Sequence, residues 1–392
     1  MKYNFDKVID RSGTSAEKVE GLKHIWGRTD LIPLWVADMD FATAPFVTDA
    51  IRKRCENEVL GYTGKPDSYY NAIINWVKQR YDLIVTKEVI NFVPGIVPGI
   101  GMAMNCFTQK GDKVMIQPPV YHPFAWVTTR NERTLVTNPL KWENGMYRMD
   151  LDTFREQIKG CKLFILCNPH NPGGVVWTEA ELRAIADICY DEKVLVFSDE
   201  IHADLTLPPH THRPFATVSE KARMNSVTFM SPSKAFNMPG LSASHALIFN
   251  EDLRKRFRIY MDAGELDMGH VFAFLSVEAA YSHGTEWLDQ CLAYIQGNID
   301  FVDDFLKNHA PKIKAIRPEA SYLVWLDCRE LELSQKDLNE FFVDKAHLAL
   351  NDGEMFGKEG IGFMRLNVAS PRCIIEKAMK QLADAYQLLY IK

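Results

Sequence analysis

The fold is decided by residues 163–202, LFILCNPHNPGGVVWTEAELRAIADICYDEKVLVFSDEIH. Two continuous apolar runs in this stretch, LFILC (163–167) and VLVFS (194–198), have the length and composition of buried strands. Between them, Thr178 and Glu181 form a capping box, which predicts the start of a helix. Apolar residues then recur at helical spacing at Leu182, Ile185, Ala186 and Cys189. A helix that connects two buried strands predicts a β-α-β unit with parallel strands.

The alternation of strands and helices continues on both sides of this unit. Seven apolar runs predict strands: VINFV (89–93), KVMIQ (113–117), TLVTN (134–138), LFILC (163–167), VLVFS (194–198), SVTFM (226–230) and HALIF (245–249). Because these runs are continuous rather than alternating, helices are expected to cover the sheet on both faces. We therefore predict an α/β fold whose large domain, residues 46–283, holds a mostly parallel seven-stranded sheet.

The chain changes character after residue 250. Residues 254–265, 270–284 and 286–309 are predicted to form long helices, and residues 321–327 and 362–368 to form strands. One apolar stripe on the last helix consists of Ile375, Met379, Leu382, Tyr386 and Leu389. These elements predict a smaller α+β domain over residues 284–392. The N-terminal arm, residues 1–45, has weak periodicity and is expected to pack on the small domain and a neighbouring subunit without forming a core.

Composition narrows the classes of function. The 392 residues include 45 Lys and Arg against 51 Asp and Glu, a net charge of −6, and no long basic tract, so we expect no nucleic-acid partner. The first residues do not resemble a signal peptide and no run of eighteen apolar residues occurs, so a cytoplasmic protein without a membrane partner is expected. Eight scattered cysteines without a C-x-x-C pair predict buried free thiols and no metal site.

Two loops that follow predicted strands carry candidate functional groups, since ligands gather at the carboxyl ends of parallel strands. Residues 168–174, NPHNPGG, form a rigid turn that presents two Asn amides; the alternative is that they only close the turn. Residues 198–202, SDEIH, place two carboxylates and an imidazole at the end of a buried strand. Charge in such a place needs a partner, either a ligand or, as the alternative, a helix cap or internal salt bridge.

Three further loops complete the candidate set. In residues 231–240, SPSKAFNMPG, Lys234 lies among small and apolar neighbours, where a lysine can lose its proton and act as a nucleophile; a solvated surface lysine is the alternative. Residues 95–101, GIVPGIG, join a strand to the predicted helix GMAMNCF and could bind phosphate. Tyr121 lies on a stiff loop, with core packing as its alternative. Neither G-x-x-x-x-G-K-[ST] nor G-x-G-x-x-G occurs, which disfavours the usual nucleotide loops.

Taken in this order, these motifs resemble the fold type I pyridoxal phosphate enzymes of the aspartate aminotransferase superfamily. The resemblance covers nearly the whole chain. Within that superfamily, residues 34–41, LWVADMDF, and 60–64, LGYTG, are similar to the PatB/MalY group of cystathionine β-lyases. The resemblance implies pyridoxal 5'-phosphate as the cofactor and an amino acid as the small-molecule substrate.

The resemblance also implies a role for each candidate residue. Lys234 is expected to bond covalently to the cofactor aldehyde and to move the proton at the substrate Cα. Asp199 would keep the ring nitrogen of the cofactor protonated, Asn171 would donate to the ring oxygen, and Tyr121 would stack on the ring. His202 stands where many aminotransferases have a tyrosine, and we place it at the cofactor as well.

Phosphate and substrate contacts follow from the same resemblance. The phosphate is expected on Gly95, Ile96, Val97, Ser231, Ser233 and, from a neighbouring subunit, Tyr62, which implies a homodimer with a shared active site. The substrate is expected on Arg365, Ala37, Asn171 and Tyr121, with the Arg365 guanidinium holding the α-carboxylate. Ser242 stands where many aminotransferases have an arginine at the phosphate, which is a departure from the superfamily pattern.

The predicted function is therefore a carbon-sulfur β-lyase that cleaves cystathionine or related S-substituted cysteines to thiol, pyruvate and ammonia. An aminotransferase is the alternative, because it shares every residue named above. A cofactor-binding protein with a regulatory role and little turnover is a third hypothesis.

Overall fold

The computed structural model of the chain describes residues 3–389. Fifteen strands lie in this part of the chain: β1 Ile32–Pro33, β2 Ile90–Val93, β3 Lys113–Ile116, β4 Thr134–Thr137, β5 Lys141–Glu143, β6 Met146–Arg148, β7 Cys161–Cys167, β8 Leu195–Asp199, β9 Ser226–Met230, β10 Ser244–Leu247, β11 Lys314–Ile316, β12 Leu323–Asp327, β13 Leu348–Ala349, β14 Asn351–Asp352 and β15 Phe363–Asn367.

Thirteen α-helices lie in the same described range: α1 Glu17–Trp26, α2 Pro45–Cys55, α3 Asp67–Tyr81, α4 Ile96–Phe107, α5 Pro123–Arg130, α6 Leu151–Gln157, α7 Glu179–Asp191, α8 Glu220–Met224, α9 Glu251–Ala263, α10 Val271–His283, α11 Thr285–His309, α12 Gln335–Glu340 and α13 Arg372–Leu388. The predicted capping box is present, since the Thr178 and Glu181 side chains each accept a hydrogen bond from the backbone of the other residue.

The seven predicted strands form one sheet in the order β2-β10-β9-β8-β7-β3-β4. Strand β10 is antiparallel to both neighbours and the remaining pairs are parallel. Helices cover both faces, because alternate residues of β7 enter different apolar clusters. Leu163 and Ile165 pack with α4 and α9, whereas Phe164 and Leu166 pack with α7. The predicted α/β fold, with its mostly parallel seven-stranded sheet covered by helices, is confirmed.

Strand register brings the loops of interest together. In β7 and β8, Cys167 pairs with Asp199, and Asp199 in turn pairs with Phe229 of β9. The three parallel strands β7, β8 and β9 therefore have their carboxyl ends at the same edge of the sheet. The loops that begin at Asn168, Glu200 and Ser231 leave this edge side by side.

The C-terminal part forms a second, antiparallel sheet in the order β11-β12-β15-β14. Ile375, Met379 and Leu382 of the predicted apolar stripe are buried, but Leu389 lies beyond the end of α13 and is 39% exposed. The predicted smaller α+β domain is present as these elements. The domain boundaries at residues 46 and 284 stay predictions.

The N-terminal arm contributes to an apolar core, which its weak periodicity did not indicate. It contains α1, and its strand β1 pairs in parallel with β13, with Ile32 opposite Leu348. Phe5, Leu34 and Phe41 are buried in the largest apolar cluster. The weak periodicity has a physical cause, since these buried residues lie mostly in extended segments between short elements.

Two other expectations need correction. Helix α4 begins at Ile96, five residues before the predicted start, because Pro98 falls in the first turn, where proline is tolerated. Gly99 is required inside the helix, since a Cβ there would lie 2.9 Å from Val93 Cγ2. All eight cysteines are free, but Cys55 and Cys373 are exposed and Cys106 is half-buried.

Two structural observations on residues 3–389 concern membrane spans and metal clusters. No helix in this range is long and apolar enough to cross a membrane. The same residues contain no group of three His, Cys, Asp or Glu side chains arranged to hold a metal ion.

The capping box gives a first testable prediction. Thr178→Ala removes the side-chain acceptor at the start of α7 and should lower the free energy of unfolding by about 1 kcal/mol. Glu181→Gln is the matched control, since a glutamine keeps the reciprocal bond. Urea unfolding of both variants measures the difference; equal stabilities would contradict the assigned cap.

Candidate active site

A cavity of about 220 Å³ lies at the sheet edge where β7 and β8 end, beside the N-terminus of α4. The structure brings ten of the predicted site residues to its wall: Ala37, Gly95, Ile96, Val97, Tyr121, Asn171, Asp199, His202, Ser233 and Lys234. These residues come from six separate segments of the chain. The cavity therefore exists only because the sheet order places those segments together.

Lys234 lies on the turn after β9, partly buried, with its amine inside the cavity. Its Nζ donates a hydrogen bond of 2.5 Å to the Ala37 carbonyl oxygen, which links the N-terminal segment to this turn. Burial lowers the pKa of Lys234 to about 8, and the Arg365 charge adds to this effect, while Asp38 and Asp199 oppose it. A substantial fraction of the amine is therefore neutral, and nucleophilic, near pH 8.

Asp199 is the last residue of β8 and is 3% exposed. Its Oδ1 accepts a hydrogen bond of 3.1 Å from the Ile201 N–H, and no Lys, Arg or His among residues 3–389 forms an ion pair with it. Burial raises the pKa of this carboxyl to about 7, and the nearby Glu200 raises it further. A buried carboxylate without a protein partner is expected to bind a cation supplied by a ligand.

Arg365 on β15 is a buried cation, in contrast to the buried anion Asp199, and it is 3% exposed. Its nitrogens donate to neutral oxygens, at 2.6 Å to Asn351 Oδ1, 3.1 Å to Asn171 Oδ1 and 3.2 Å to the Trp35 carbonyl. Within the described residues it has no carboxylate partner, and its Nε has no acceptor. Burial lowers its pKa to about 10. A planar cation held in this way can bind a carboxylate.

The N-terminus of α4 lies at one end of the cavity, and this end suits an anionic ligand. Gly95 caps the helix with φ +147°, which directs the first backbone N–H groups of Ile96 and Val97 toward the cavity end. Ser233 lies in the same wall. Ser231 does not, because its hydroxyl donates to the Ala243 carbonyl at 2.7 Å and accepts from the Ser233 N–H. Helix dipole and free N–H groups make this end suitable for a phosphate.

Three uncharged groups complete the wall. Tyr121 is half-buried, and burial raises the pKa of its phenol, so the hydroxyl remains protonated. His202 is 4% exposed, burial lowers its pKa to about 3, and its Nδ1 has no partner among the described residues. The Asn171 Oδ1 is held by Arg365, which leaves its amide nitrogen free to face a ligand. The His202 imidazole, the Tyr121 phenol and the Asn171 amide are therefore all uncharged.

Three predicted site residues do not line the cavity: Ser231, Arg365, which bonds to the wall residue Asn171, and Tyr62. The Tyr62 side chain is 98% exposed, on a loop that lines a separate surface depression with Lys65 and Asp267. A contact from Tyr62 to the cavity described above would have to come from another copy of the chain.

Sequence reasoning missed several wall residues. Ser244 lines the cavity, and so does Ser242, which the sequence indicated only as a departure from the superfamily pattern and which adopts a left-handed conformation with φ +48°. Cys167 lines it too, and its Sγ accepts the Asn171 N–H. Asn351 holds Arg365, but it follows no motif and reaches the site only through the pairing of β14 with β15.

The cavity fits pyridoxal phosphate. It combines a nucleophilic lysine, a buried carboxylate with no ion-pair partner among the described residues, a tyrosine in its wall and a helix N-terminus suited to a phosphate. Fold and site together define the class of fold type I pyridoxal phosphate enzymes.

The chain belongs to the aminotransferase class I and II family, whose family model matches residues 29–382. It is 38% identical to cystathionine β-lyase PatB of Bacillus subtilis, over 97% of this chain and 99% of that protein. Among solved structures, it resembles cystalysin from Treponema denticola, which contains a pyridoxal 5'-phosphate cofactor, with a TM-score of 0.96 and 34% identity over 99% and 100% of the two chains. The PLP-bound C-S lyase from Staphylococcus hominis gives a TM-score of 0.90 and 35% identity over 98% of each chain. The recognised resemblance is thereby confirmed.

The lowered pKa of Lys234 gives a second testable prediction. Because its free amine is mostly neutral above pH 8, carbamylation of Lys234 by cyanate in the cofactor-free protein should reach half its maximal rate near pH 8, as followed by peptide mass spectrometry. The exposed Lys255, whose pKa Glu251 raises, is an internal control and should react only at higher pH. Arg365→Gln removes a neighbouring positive charge and should move the Lys234 midpoint upward. A midpoint shared by Lys234 and Lys255 would refute the assignment.

Proposed function

We propose that this chain is a pyridoxal phosphate-dependent carbon-sulfur β-lyase that cleaves cystathionine or related S-substituted cysteines to thiol, pyruvate and ammonia. The observation that carries the proposal is the 38% identity, over nearly the whole length of both chains, to a relative named cystathionine β-lyase. The wall of the cavity supplies the groups that this chemistry needs.

The cofactor would be held by residues from several segments. The backbone N–H groups of Ile96 and Val97, with the hydroxyl of Ser233, would bind the phosphate, and Asp199 would pair with the ring nitrogen. Lys234 would hold the aldehyde carbon. Bound pyridoxal phosphate supplies an electron sink for the pair released when the substrate loses its Cα proton.

Arg365 would orient the substrate. Its guanidinium has neutral hydrogen-bond partners and needs an anion, and the substrate α-carboxylate is one. Asn351 and the Trp35 carbonyl fix the guanidinium plane before substrate arrives. The Cα–H bond is thereby held in one orientation with respect to Lys234.

Once the substrate amine has displaced it from the cofactor, Lys234 would act as a base and an acid. A neutral Lys234 amine takes the proton from Cα, and its lowered pKa makes that form accessible near neutral pH. As the Cβ–S bond breaks, the thiolate leaves and takes up a proton, which the resulting ammonium of Lys234 can supply. One water molecule then hydrolyses the remaining three-carbon fragment to pyruvate and ammonia. Tyr121, protonated and next to the cavity, lies where it can contact the substrate.

The aminotransferase alternative rests on the family description. Its early steps use the same residues, and the two reactions differ in where Lys234 delivers the proton. The names of the full-length relatives favour the lyase.

The proposal includes a homodimer in which the two subunits share each active site. It also includes a cytoplasmic location for the protein. Tyr62 supports the homodimer, since this aromatic ring is almost fully exposed and has exposed apolar neighbours in Val59 and Leu60. A surface of this kind is expected to be covered by another protein surface. Tyr62 would contact the phosphate of the other subunit.

The reaction itself is tested with L-cystathionine and purified, cofactor-saturated protein. We expect equal amounts of pyruvate and thiol without any added 2-oxo acid. Lys234→Ala should lower turnover by about a thousandfold or more, since it removes the general base. Product that appears only after a 2-oxo acid is added, as a transferred amino group, would replace the lyase with the aminotransferase.

Substrate anchoring is tested with Arg365→Lys, which keeps the charge but loses the planar fork. We expect kcat/KM for cystathionine to fall by about tenfold to a hundredfold, mainly through KM, because hydrogen bonds to a charged group are lost. Arg329→Lys is the matched control, since Arg329 is 46% exposed at its side chain and pairs with Asp327. An unchanged KM in the Arg365 variant would remove this residue from the substrate site.

A further inference from the structure

The guanidinium of Arg365 lies over an aromatic ring as well as beside its hydrogen-bond acceptors. Its Cζ is 4.8 Å from the centre of the Phe356 ring. Phe356 is 2% exposed and is not part of the cavity wall, so it contacts the guanidinium without reaching a ligand in the cavity. The face of an aromatic ring attracts a cation, and the attraction is strongest where water is excluded.

One short segment, residues 351–356, holds the guanidinium from two directions. The Asn351 Oδ1 accepts a hydrogen bond of 2.6 Å from Arg365 Nη2, and Asn351 lies opposite Arg365 in the pairing of β14 with β15. Phe356 lies at the other end of the same segment and covers a face of the guanidinium. An edge contact together with a face contact fixes the orientation of a planar group.

The ring holds the guanidinium without using any of its N–H groups. The Arg365 Nε–H has no acceptor in the described part of the chain, so it stays available in the guanidinium plane. A carboxylate binds to arginine in that plane, through parallel N–H···O bonds. The Phe356 ring under the face therefore does not compete with a carboxylate at the edge.

Packing around Phe356 fixes the position of its ring. The Trp325 ring meets it edge to face, with centroids 5.4 Å apart, and the His122 ring does so at 5.7 Å. The Phe356 carbonyl accepts a hydrogen bond of 2.8 Å from the Val120 N–H, next to Tyr121 of the cavity wall. The ring is thus part of the frame that surrounds the site.

A second pair of the same kind shows what is special about this one. The Arg329 Cζ is 4.7 Å from the centre of the Phe363 ring, which is also 2% exposed and stacks on Trp325 at 5.2 Å. Arg329, however, has a side chain that is 46% exposed and pairs with Asp327. Phe363 therefore lies under a solvated cation that already has an anion, whereas Phe356 lies under a buried one.

We propose that Phe356 is a positioning residue, whose ring fixes the plane of the Arg365 guanidinium so that its free edge is ready for the substrate α-carboxylate. This inference rests on the proposed function, because it needs an amino-acid substrate at Arg365. A guanidinium that is ordered before binding loses less conformational entropy when the carboxylate arrives. A lysine at this position would gain nothing from the ring in this way, since an ammonium has no plane to fix.

The first readout separates binding from chemistry in the holoenzyme. Phe356→Leu keeps an apolar side chain but removes the aromatic face. KM for L-cystathionine should rise about tenfold, because the carboxylate must then order the guanidinium. The value of kcat should stay within about twofold, since the groups that move the Cα proton are unchanged.

The second readout is selective for the carboxylate. Glycine and glycinamide both carry an amine, but only glycine carries the carboxylate. Their dissociation constants from the holoenzyme are titrated through the absorbance of the cofactor. Phe356→Leu should raise the constant for glycine about tenfold and leave that for glycinamide unchanged. A merely structural role of the ring would raise both constants by the same factor.

The third readout combines Phe356→Leu with Arg365→Lys. Because the lysine has no plane to orient, the double variant should have the KM of Arg365→Lys alone, within about twofold. Two independent losses of structure would multiply instead.

Phe363→Leu is the matched control. It is the same substitution at an equally buried ring, with the same Trp325 neighbour and nearly the same distance to an arginine. It should leave KM and both dissociation constants unchanged. Thermal unfolding followed by circular dichroism establishes that each variant is folded, and Phe356→Met, with a flexible apolar side chain, replaces Phe356→Leu if that variant does not fold.

Each outcome decides the inference. An unchanged constant for glycine, equal changes for glycine and glycinamide, or multiplied effects in the double variant overturn it. A carboxylate-selective loss that is absent in Phe363→Leu supports it. A parent protein that releases neither thiol nor pyruvate from cystathionine contradicts the proposed function instead, and the two dissociation constants still decide the role of Phe356.

Discussion

Burial of charge without an internal partner is the constraint on which this structure depends. Asp199 and Arg365 are each 3% exposed, and Lys234 is partly buried beside them. Within residues 3–389, none of the three forms an ion pair with another side chain. Because desolvated charges are costly, the folded chain carries this cost at one place, and a ligand of complementary charge relieves it.

The sheet makes that concentration of charge possible. Parallel pairing of β7, β8 and β9 brings three strand ends to one edge, and the buried strands supply the rigid frame. The apolar layers on both faces exclude water from Asp199 and so raise its pKa. The same desolvation lowers the pKa of Lys234. Desolvation therefore raises the pKa of the acid Asp199 and lowers the pKa of the base Lys234.

Hydrogen bonds between distant segments then fix the positions of these groups. The Ala37 carbonyl accepts from Lys234 and from the Tyr322 hydroxyl, so the N-terminal segment, the turn after β9 and the second sheet meet at one atom. Arg365 joins Asn171 to Asn351 in the same way. The site is thus a junction of the two sheets, and its geometry depends on how they pack.

The sequence by itself determined the seven strands, the capped helix α7 and the loops that carry Lys234, Asp199 and Asn171. These features follow from local patterns, since apolar runs, caps and proline turns act over a few residues. The burial of the N-terminal arm, the start of α4 inside a Gly/Pro segment and the role of Asn351 were beyond those patterns. Only the tertiary structure decided which charges lack partners and that Ser231 turns away while Ser242 lines the cavity. The physical reason is that desolvation and pairing depend on residues far apart in the chain, whose proximity the local sequence does not encode.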